Sequence, residues 1–228
     1  MSKRARSIAR VHKILGLVVG VQLLFWTLSG FYFTLFPIET IRGEHLRRAP
    51  TAIDLSTLGA VAMPALPSPA DTLEIRMLLG EPVWFAKGQN GAGFFSLETG
   101  AAMPALNEAD IRQIAEAGWA GEGKIASVER VENPPREAFS KTPLWRVQFD
   151  GRDRATVWVD ADEGRISAVR TGKWRLFDVL WRFHIMDVTG DDRFDSWWLK
   201  LAAFLGLTTV LCGMALLVHR ASRGRLFK

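Results

Sequence analysis

The sequence predicts an α+β membrane protein in which two membrane-spanning helices flank two small modules, each a helix on an antiparallel sheet. Two observations lead to this fold class. Long apolar runs occupy both ends of the 228-residue chain, at 14–38 and 201–218. Between these runs, strand-like stretches with alternating apolar positions cluster twice. Spanning helices on either side of a tandem of sheets account for both observations.

The first span is predicted over residues 14–38, which rise about 37 Å as a helix and exceed the roughly 30 Å of a bilayer core. The alternative is a cleaved signal peptide. The run is longer than a signal core and no small-x-small cleavage site follows Phe36, so an uncleaved anchor is favoured. The second span is predicted over 196–219, because Trp197, Trp198 and Lys200 suit a membrane interface.

Charge orients the two spans. The N-terminal segment 1–13 has five basic residues and no acid, and the tail 220–228 has four basic residues and no acid. Basic flanks stay in the cytoplasm, so both ends are predicted cytoplasmic in a bacterial inner membrane, with the central domain in the periplasm. Outside these flanks and Lys200 there are nineteen basic and twenty-four acidic residues. The pI near 9.7 therefore reflects topology and does not indicate nucleic-acid binding.

Several chemistries have no support in the sequence. Cys212, inside the second run, is the only cysteine, which excludes an intrachain disulfide and a CxxCH haem-attachment motif. No Walker loop, dinucleotide fingerprint or HExxH helix is present, so binding of flavin or nicotinamide is not predicted. No Ser, His and Asp set indicates a hydrolase. An oxidoreductase component is the enzyme class left open.

The central region has the pattern of one module repeated. Pro82-Val83-Trp84 recurs as Pro143-Leu144-Trp145, and Gly100 and Gly164 each close a set of strands. We predict modules over 39–102 and 103–171, followed by an interfacial amphipathic helix and turn over 172–195. Strands are predicted at 72–79, 82–87, 94–97, 124–132, 143–149 and 156–160. Helices are predicted at 55–63 and 108–117, the latter capped by Asn107, with linkers at 64–69 and 134–135.

Three stretches resemble a known family. The segment 107–168, with a helix, a WRVxF strand and a VWVDADEGRI hairpin, resembles the PepSY domain. RVHKILG at 10–16 is similar to the first helix of PepSY-associated transmembrane proteins, and LWRFH at 180–184 resembles their second histidine segment. That family includes inner-membrane proteins that reduce ferric siderophores and hold haem b between helices. The resemblance implies transmembrane electron transfer linked to reductive iron or siderophore uptake.

The resemblance makes the four histidines candidate haem-iron ligands. His12 and His219 are expected at the cytoplasmic edge, and His184 and His45 at the opposite edge, which gives one potential axial pair per leaflet. Each has a simpler interpretation. His12 is then an interface residue, His219 ends a span and His45 is a solvated linker residue, while His184 continues an aromatic helix stripe formed by Trp174, Phe177 and Trp181.

Two helices enclose a porphyrin poorly, so the haem interpretation implies a homodimer of four helices or a larger membrane complex. Gly16, Gly20, Gly206 and Gly213 suit close helix packing, either between copies or within one chain. The alternative function is a non-catalytic, membrane-anchored PepSY protein that binds a periplasmic protein, inhibits a protease or serves as an accessory subunit.

Two acidic groups have a structural interpretation and a cation-binding one. Asp187, Asp191, Asp192 and Asp195 are read first as a solvated acidic turn before the second span, and second as oxygen ligands for a cation. Asp160, Asp162 and Glu163 are expected to serve a tight turn.

Overall fold

A computed structural model describes residues 3–54, 56, 58–66, 69–187, 189–190 and 195–224. The chain divides into two compact units, one of Met1–Pro37 with Leu176–Lys228 and one of Ile38–Arg175. The first unit holds two long apolar helices and the second holds two antiparallel sheets. This confirms the α+β class with two candidate membrane-spanning helices.

The two long helices are α1 (Lys3–Leu35) and α5 (Trp197–Ala221). Both are long and apolar enough to cross a membrane, over Arg6–Leu35 and Trp197–Ala221. Only 11% and 6% of their most apolar windows are buried, whereas the core helix of a soluble protein is mostly buried. The two helices pack against each other along their lengths. α1 ends just before Pro37, since proline disfavours the helical conformation of the residue that precedes it.

The first sheet has three antiparallel strands in the order β1 (Thr72–Leu78), β2 (Glu81–Gly88) and β3 (Gly91–Ser96). Val83, Phe85 and Phe94 are buried in its core. The three predicted strands are confirmed. The third begins at Gly91, three residues earlier than predicted, because a tight turn joins it to β2.

The second sheet has four antiparallel strands in the order β4 (Ile125–Val131), β5 (Leu144–Phe149), β6 (Thr156–Asp160) and β7 (Ile166–Arg170). Its strands β4 to β6 match the predicted ones within two residues at each end. The core consists of fully buried side chains from β5, β6 and β7, among them Val147, Val157 and Val169. The remaining helices are the short α2 (Ile38–Ile41), α3 (Glu108–Gly118) and α4 (Gly172–His184).

Helix α3 serves both sheets. It starts as predicted at Asn107, whose side chain accepts from the backbone N–H of Ala109 and Asp110. Ile111 and Ala115 are completely buried in the core of the second sheet. Ile114, on a neighbouring part of the helix surface, packs against the core of the first sheet. One helix therefore covers both sheets, whereas the sequence predicts a separate helix for each sheet.

The helix predicted over 55–63 is wrong. Ser56 has a 3-10 conformation, the described backbone from 58 to 66 has no regular secondary structure, and Leu55 and Thr57 lie outside the described residues. The Ala62 N–H donates to the Leu97 carbonyl at 2.9 Å, and the Ala65 N–H donates to the Gly100 carbonyl at 3.0 Å. Trp84 adds a side-chain bond to the Ala62 carbonyl at 2.9 Å. Because the first sheet takes up these backbone groups, part of the predicted 64–69 linker lies bonded along it.

The two sheets share one pattern of backbone bonds at their last hairpins. Val83 pairs with Ser96 in the first sheet, and Leu144 pairs with Asp160 in the second. In both sheets the closing glycine is left-handed and donates to the residue four positions earlier. The equivalent bonds are Gly100 to Ser96 at 2.9 Å, Gly164 to Asp160 at 3.1 Å, Ser96 to Ala101 at 2.9 Å and Asp160 to Arg165 at 2.9 Å. A full strand, β7, follows only in the second sheet; in the first, a single bridge from Phe95 to Ala102 takes its place.

Candidate functional site

The aromatic stripe of α4 packs on α1. Phe33 contacts the rings of Phe177, Trp181 and His184, with centroid distances of 4.7, 6.0 and 5.4 Å. The His184 and Trp181 rings are nearly parallel, at an interplanar angle of 7°. Three of the four predicted stripe residues therefore line one helix contact. The fourth, Trp174, belongs to the sheet-containing unit, where the Arg170 guanidinium lies over its ring.

His184 is held by a serine in the middle of an apolar helix. Its Nδ1 lies 2.8 Å from the Oγ of Ser29, which is only 2% exposed. The single hydroxyl hydrogen of Ser29 is directed to the Phe25 carbonyl, 2.7 Å away. With the Ser29 hydrogen on the Phe25 carbonyl, Ser29 Oγ accepts from His184 Nδ1–H, and in that neutral tautomer the lone pair is on Nε2.

His12 is also held through its Nδ1, at the contact between α1 and α5. Its Nδ1 lies 3.0 Å from the backbone carbonyl oxygen of Thr209 on α5. A carbonyl only accepts, so Nδ1 carries a proton, and in the neutral ring the lone pair is on Nε2. The ring fits against Gly213, where an added Cβ would sit 3.0 Å from His12 Cε1. Gly213 therefore packs α1 and α5 of one chain together.

These two histidines lie at separate levels of the helix pair. Ser29, which binds His184, is seventeen residues beyond His12 on α1, a rise of about 26 Å. His219 is in the last turn of α5, six residues or about 9 Å beyond Gly213. Its Nε2 is buried and has no hydrogen-bond partner among the described residues. One chain thus brings one anchored imidazole to each level, and His12 and His219 do not share a level.

The other candidate residues have separate locations. His45 is exposed in a short 3-10 helix, Glu44–Leu46, of the sheet-containing unit. Asp187 is 5% exposed, so it is not the solvated residue that was predicted. Its Oδ1 accepts from the Gly190 N–H at 2.8 Å and from the Thr189 hydroxyl at 3.1 Å, which closes a turn. Asp191 and Asp192 lie outside the described residues.

The histidine side chains of the helix-containing unit meet part of what a haem iron needs from its ligands. Within the described residues, no group of three or more His, Cys, Asp or Glu side chains could hold a metal ion. A haem iron needs only axial ligands, because the porphyrin supplies the other four. His12 and His184 each have Nδ1 in a hydrogen bond, as metal-ligating histidines commonly do, so Nε2 is the nitrogen through which each could ligate iron. The residues of one chain fit one axial position at each level and lack the second.

A charged cluster lies outside this site, between the two sheets. The Glu163 carboxylate accepts from Lys87 Nζ at 2.6 Å and pairs with Arg165 Nε at 2.9 Å, with Arg76 at 3.9 Å. The Lys87 hydrogen bond, aided by the nearby charges of Arg165, Lys87 and Arg76, holds the pKa of Glu163 below its usual value. Asp160, by contrast, serves its turn as predicted by accepting from the N–H groups of Asp162 and Glu163.

Sequence reasoning missed Ser29 and Thr209 as partners of the histidines. Ser29 is a small polar residue in an apolar run, where such residues commonly bond to their own helix backbone, and Thr209 contributes a backbone carbonyl that no side-chain pattern marks. The available signal was spacing. Gln22, Trp26 and Ser29 recur at intervals of four and three, which puts polar atoms on one face of α1.

No protein-family model matches the chain, and no curated protein or solved structure matches it significantly.

Proposed function

We propose that this chain is an inner-membrane protein of the PepSY-associated kind, with both ends in the cytoplasm and the two sheets in the periplasm. The proposal is supported by the low burial of both apolar helices, whose large side chains project outward as lipid-facing residues do. It is also supported by the basic flanks, which favour a cytoplasmic location for both ends. The equivalent hairpin bonds of the two sheets support a tandem of PepSY-like modules.

The function we propose is haem-b-based electron transfer across the membrane, linked to reductive iron or siderophore uptake. One observation carries it: His184 and His12 are both anchored through Nδ1 and both present Nε2 as a ligand atom. When bound, haem supplies reversible one-electron redox chemistry. Ser29 and the Thr209 carbonyl orient the imidazoles and make Nε2 a better donor, since a hydrogen-bonded Nδ1–H increases ring basicity.

A second copy of the chain supplies the missing axial positions. In a twofold dimer the same histidine comes from each copy, so that His184 meets His184 at one level and His12 meets His12 at the other. Gly16, Gly20 and Gly30 fall on one face of α1, where an added Cβ meets no atom within 4 Å. That face is open to another helix, but Ser29 lies on the opposite side of α1, so the pairing of His184 needs a contact on the side of α1 that holds α4.

The test is a reduced-minus-oxidised absorption spectrum of the full chain, purified in mild detergent from cells supplied with a haem precursor. We expect the α band of a b-type haem and one haem per chain, because two haems bind per dimer. His184→Ala and His12→Ala should each remove about half of the haem, while the exposed His45→Ala should remove none.

Two hydroxyl variants sharpen this test. Ser29→Ala removes the anchor of His184 and should weaken haem retention roughly ten- to a hundredfold at that level. Thr27→Ala is the matched control, because its hydroxyl donates only to the Leu23 carbonyl of its own helix. Equal effects of the two variants would contradict a role for the Ser29 anchor.

A colourless protein with its circular dichroism intact would refute the haem proposal for the isolated chain. The non-catalytic alternative, an anchored PepSY protein that binds a periplasmic partner, would then be preferred. It is favoured by β1, which forms one edge of the first sheet.

A further inference from the structure

The sheet-containing unit has a pocket of about 560 Å³ beside the C-terminal end of α3. The turn between β1 and β2, the turn between β6 and β7, and the segment 47–51 form its other sides. This volume lies in the range of small-molecule sites, about 300 to 1,000 Å³. It is independent of the histidines and of the haem proposal.

The wall of the pocket is mainly apolar, and two of its glycines let neighbouring side chains pack closely against the backbone. Its apolar side chains come from both sheets and from α3, namely Met77, Leu78, Leu79, Ile114 and Ile166. At Gly118 an added Cβ would lie 2.4 Å from Ile166 Cδ1, and at Gly164 it would lie 2.8 Å from Leu106 Cδ1. Gly164 also has a left-handed φ of 61°, which disfavours any side chain there.

One leucine in the wall of the pocket has a strained backbone conformation. Leu79 adopts a φ of 54°, in the left-handed region, at the first position of the two-residue turn between β1 and β2. Asn, Asp or Gly normally takes this position, because a branched side chain costs about 1 to 2 kcal/mol there. A site that tolerates this cost has a packing or functional reason for the side chain. Here Leu79 joins the first core and faces the pocket.

The charged residues that line the pocket are all cationic. They are Arg47, Arg48 and Arg165, with no Asp or Glu among the lining residues. Arg165 is paired with Glu163 at 2.9 Å. In the part of the chain that the structure describes, neither Arg47 nor Arg48 has an ion-pair partner within 4 Å, although Glu44 acts on Arg47 from farther away.

Burial removes water from the Arg47 side chain, and the described part of the protein does not supply a hydrogen-bond partner for each of its N–H groups. Its Nε is buried and has no hydrogen-bond partner among the described residues. Its terminal nitrogens are 3.5 and 3.3 Å from the carbonyl oxygens of Ile166 and Ser167, which are long hydrogen bonds. Burial accordingly lowers the pKa of Arg47.

We propose that this pocket binds a small organic carboxylate with an apolar body. Arg47 and Arg48 receive the carboxylate at the rim, and the apolar wall formed by Leu78, Ile114 and Ile166 receives the hydrocarbon part. Arginine suits this role, because its planar group donates two parallel hydrogen bonds to a carboxylate.

The test compares 4-phenylbutyrate with its uncharged amide, 4-phenylbutyramide, by calorimetry on the full chain in phosphatidylcholine nanodiscs. We expect the acid to bind at least tenfold more tightly than the amide. Arg48→Gln should weaken binding of the acid about tenfold, the effect of losing one charge-assisted contact. Arg130→Gln removes the same charge from an exposed ion pair on β4 and should change nothing.

A second variant tests the cavity itself. Ala117 is an exposed residue that lines the pocket, so Ala117→Phe fills the mouth without changing any charge. It should abolish binding with the melting temperature preserved. Failure of the acid to bind at millimolar concentration, equal binding of acid and amide, an equal loss in Arg48→Gln and Arg130→Gln, or unchanged binding in Ala117→Phe would each overturn the proposal.

Discussion

The histidine tautomers depend on single acceptor atoms. His184 is 155 residues from Ser29 in sequence, and His12 is 197 residues from Thr209. The sequence identifies the histidines by their position beside the apolar runs. It does not identify their partners, because any serine or carbonyl in a span is an equally good acceptor before the helices are packed. The fold therefore supplies the partner of each Nδ1, and at His12 the Thr209 carbonyl can only accept from it.

Glu163 provides a prediction at the same scale. Its side chain is 10% exposed and forms ion pairs with Arg76 on β1, Lys87 on β2 and Arg165 in its own turn. Glu163→Gln should lower the free energy of unfolding at pH 7 by about 1 kcal/mol, a value reduced because Lys87 is half exposed. The readout is thermal unfolding followed by near-ultraviolet circular dichroism.

The pH dependence of this effect has a defined sign. The folded pKa of Glu163 is lowered, so its charge stabilises the fold fully above the unfolded pKa of about 4.3 and progressively less as the pH falls through the folded pKa. The difference between wild type and Glu163→Gln should therefore shrink below about pH 4.3. Glu132→Gln is the control, since it removes a carboxylate from an exposed pair with Arg130. A difference that stays constant down to pH 3 would contradict the linkage.

At the scale of elements, the sequence predicts the strands and helices whose signals lie within the element itself. Six strands were predicted because their apolar alternation and turn residues are contiguous in sequence. Helix α3 is predicted from Asn107 as its N-cap, and the structure adds a capping box between Asn107 and Asp110. The helix over 55–63 failed for a long-range reason. The first sheet already receives Ile114 from α3, and the segment at 62–65 bonds to it as extended chain.

Gly213 gives a prediction for the helix pair. Gly213→Val should push His12 away from α5, because even a bare Cβ would lie 3.0 Å from the His12 ring. Overpacking of this kind costs about 1 to 3 kcal/mol. We expect a melting temperature lower by several degrees, measured on the chain in detergent.

Gly206→Val is the matched control for this experiment. It makes the same substitution on the same helix, where an added Cβ meets nothing within 4 Å. Both variants make the same change in helix propensity, so their difference isolates the contact with His12. Equal melting temperatures would contradict the packing role of Gly213.

At the scale of the whole molecule, charge and hydropathy predict the arrangement of the chain in a membrane. The sequence supplies a convenient assay, because Cys212 is its only cysteine. In a Cys212→Ser background, Asn90→Cys probes the turn between β2 and β3, and Ser222→Cys probes the end of α5; both sites are exposed.

A membrane-impermeant maleimide should label Asn90→Cys in intact cells and label Ser222→Cys only after lysis. Lysed cells, in which both variants must react, provide the control for reactivity. Labelling of Ser222→Cys in intact cells would contradict a cytoplasmic C-terminus.

The sharing of α3 has a consequence for how this domain can change over generations. A module that carries its own helix can be exchanged between genes, because it closes its core by itself. Here Ile114 of α3, a helix that follows the first sheet in the sequence, packs against the core of that sheet. Ile111 and Ala115 of the same helix are buried in the core of the second sheet. Recombination at the boundary near residue 102 would leave the upstream half with an uncovered apolar face. A chain that lost one half would therefore lose part of the core of the other half.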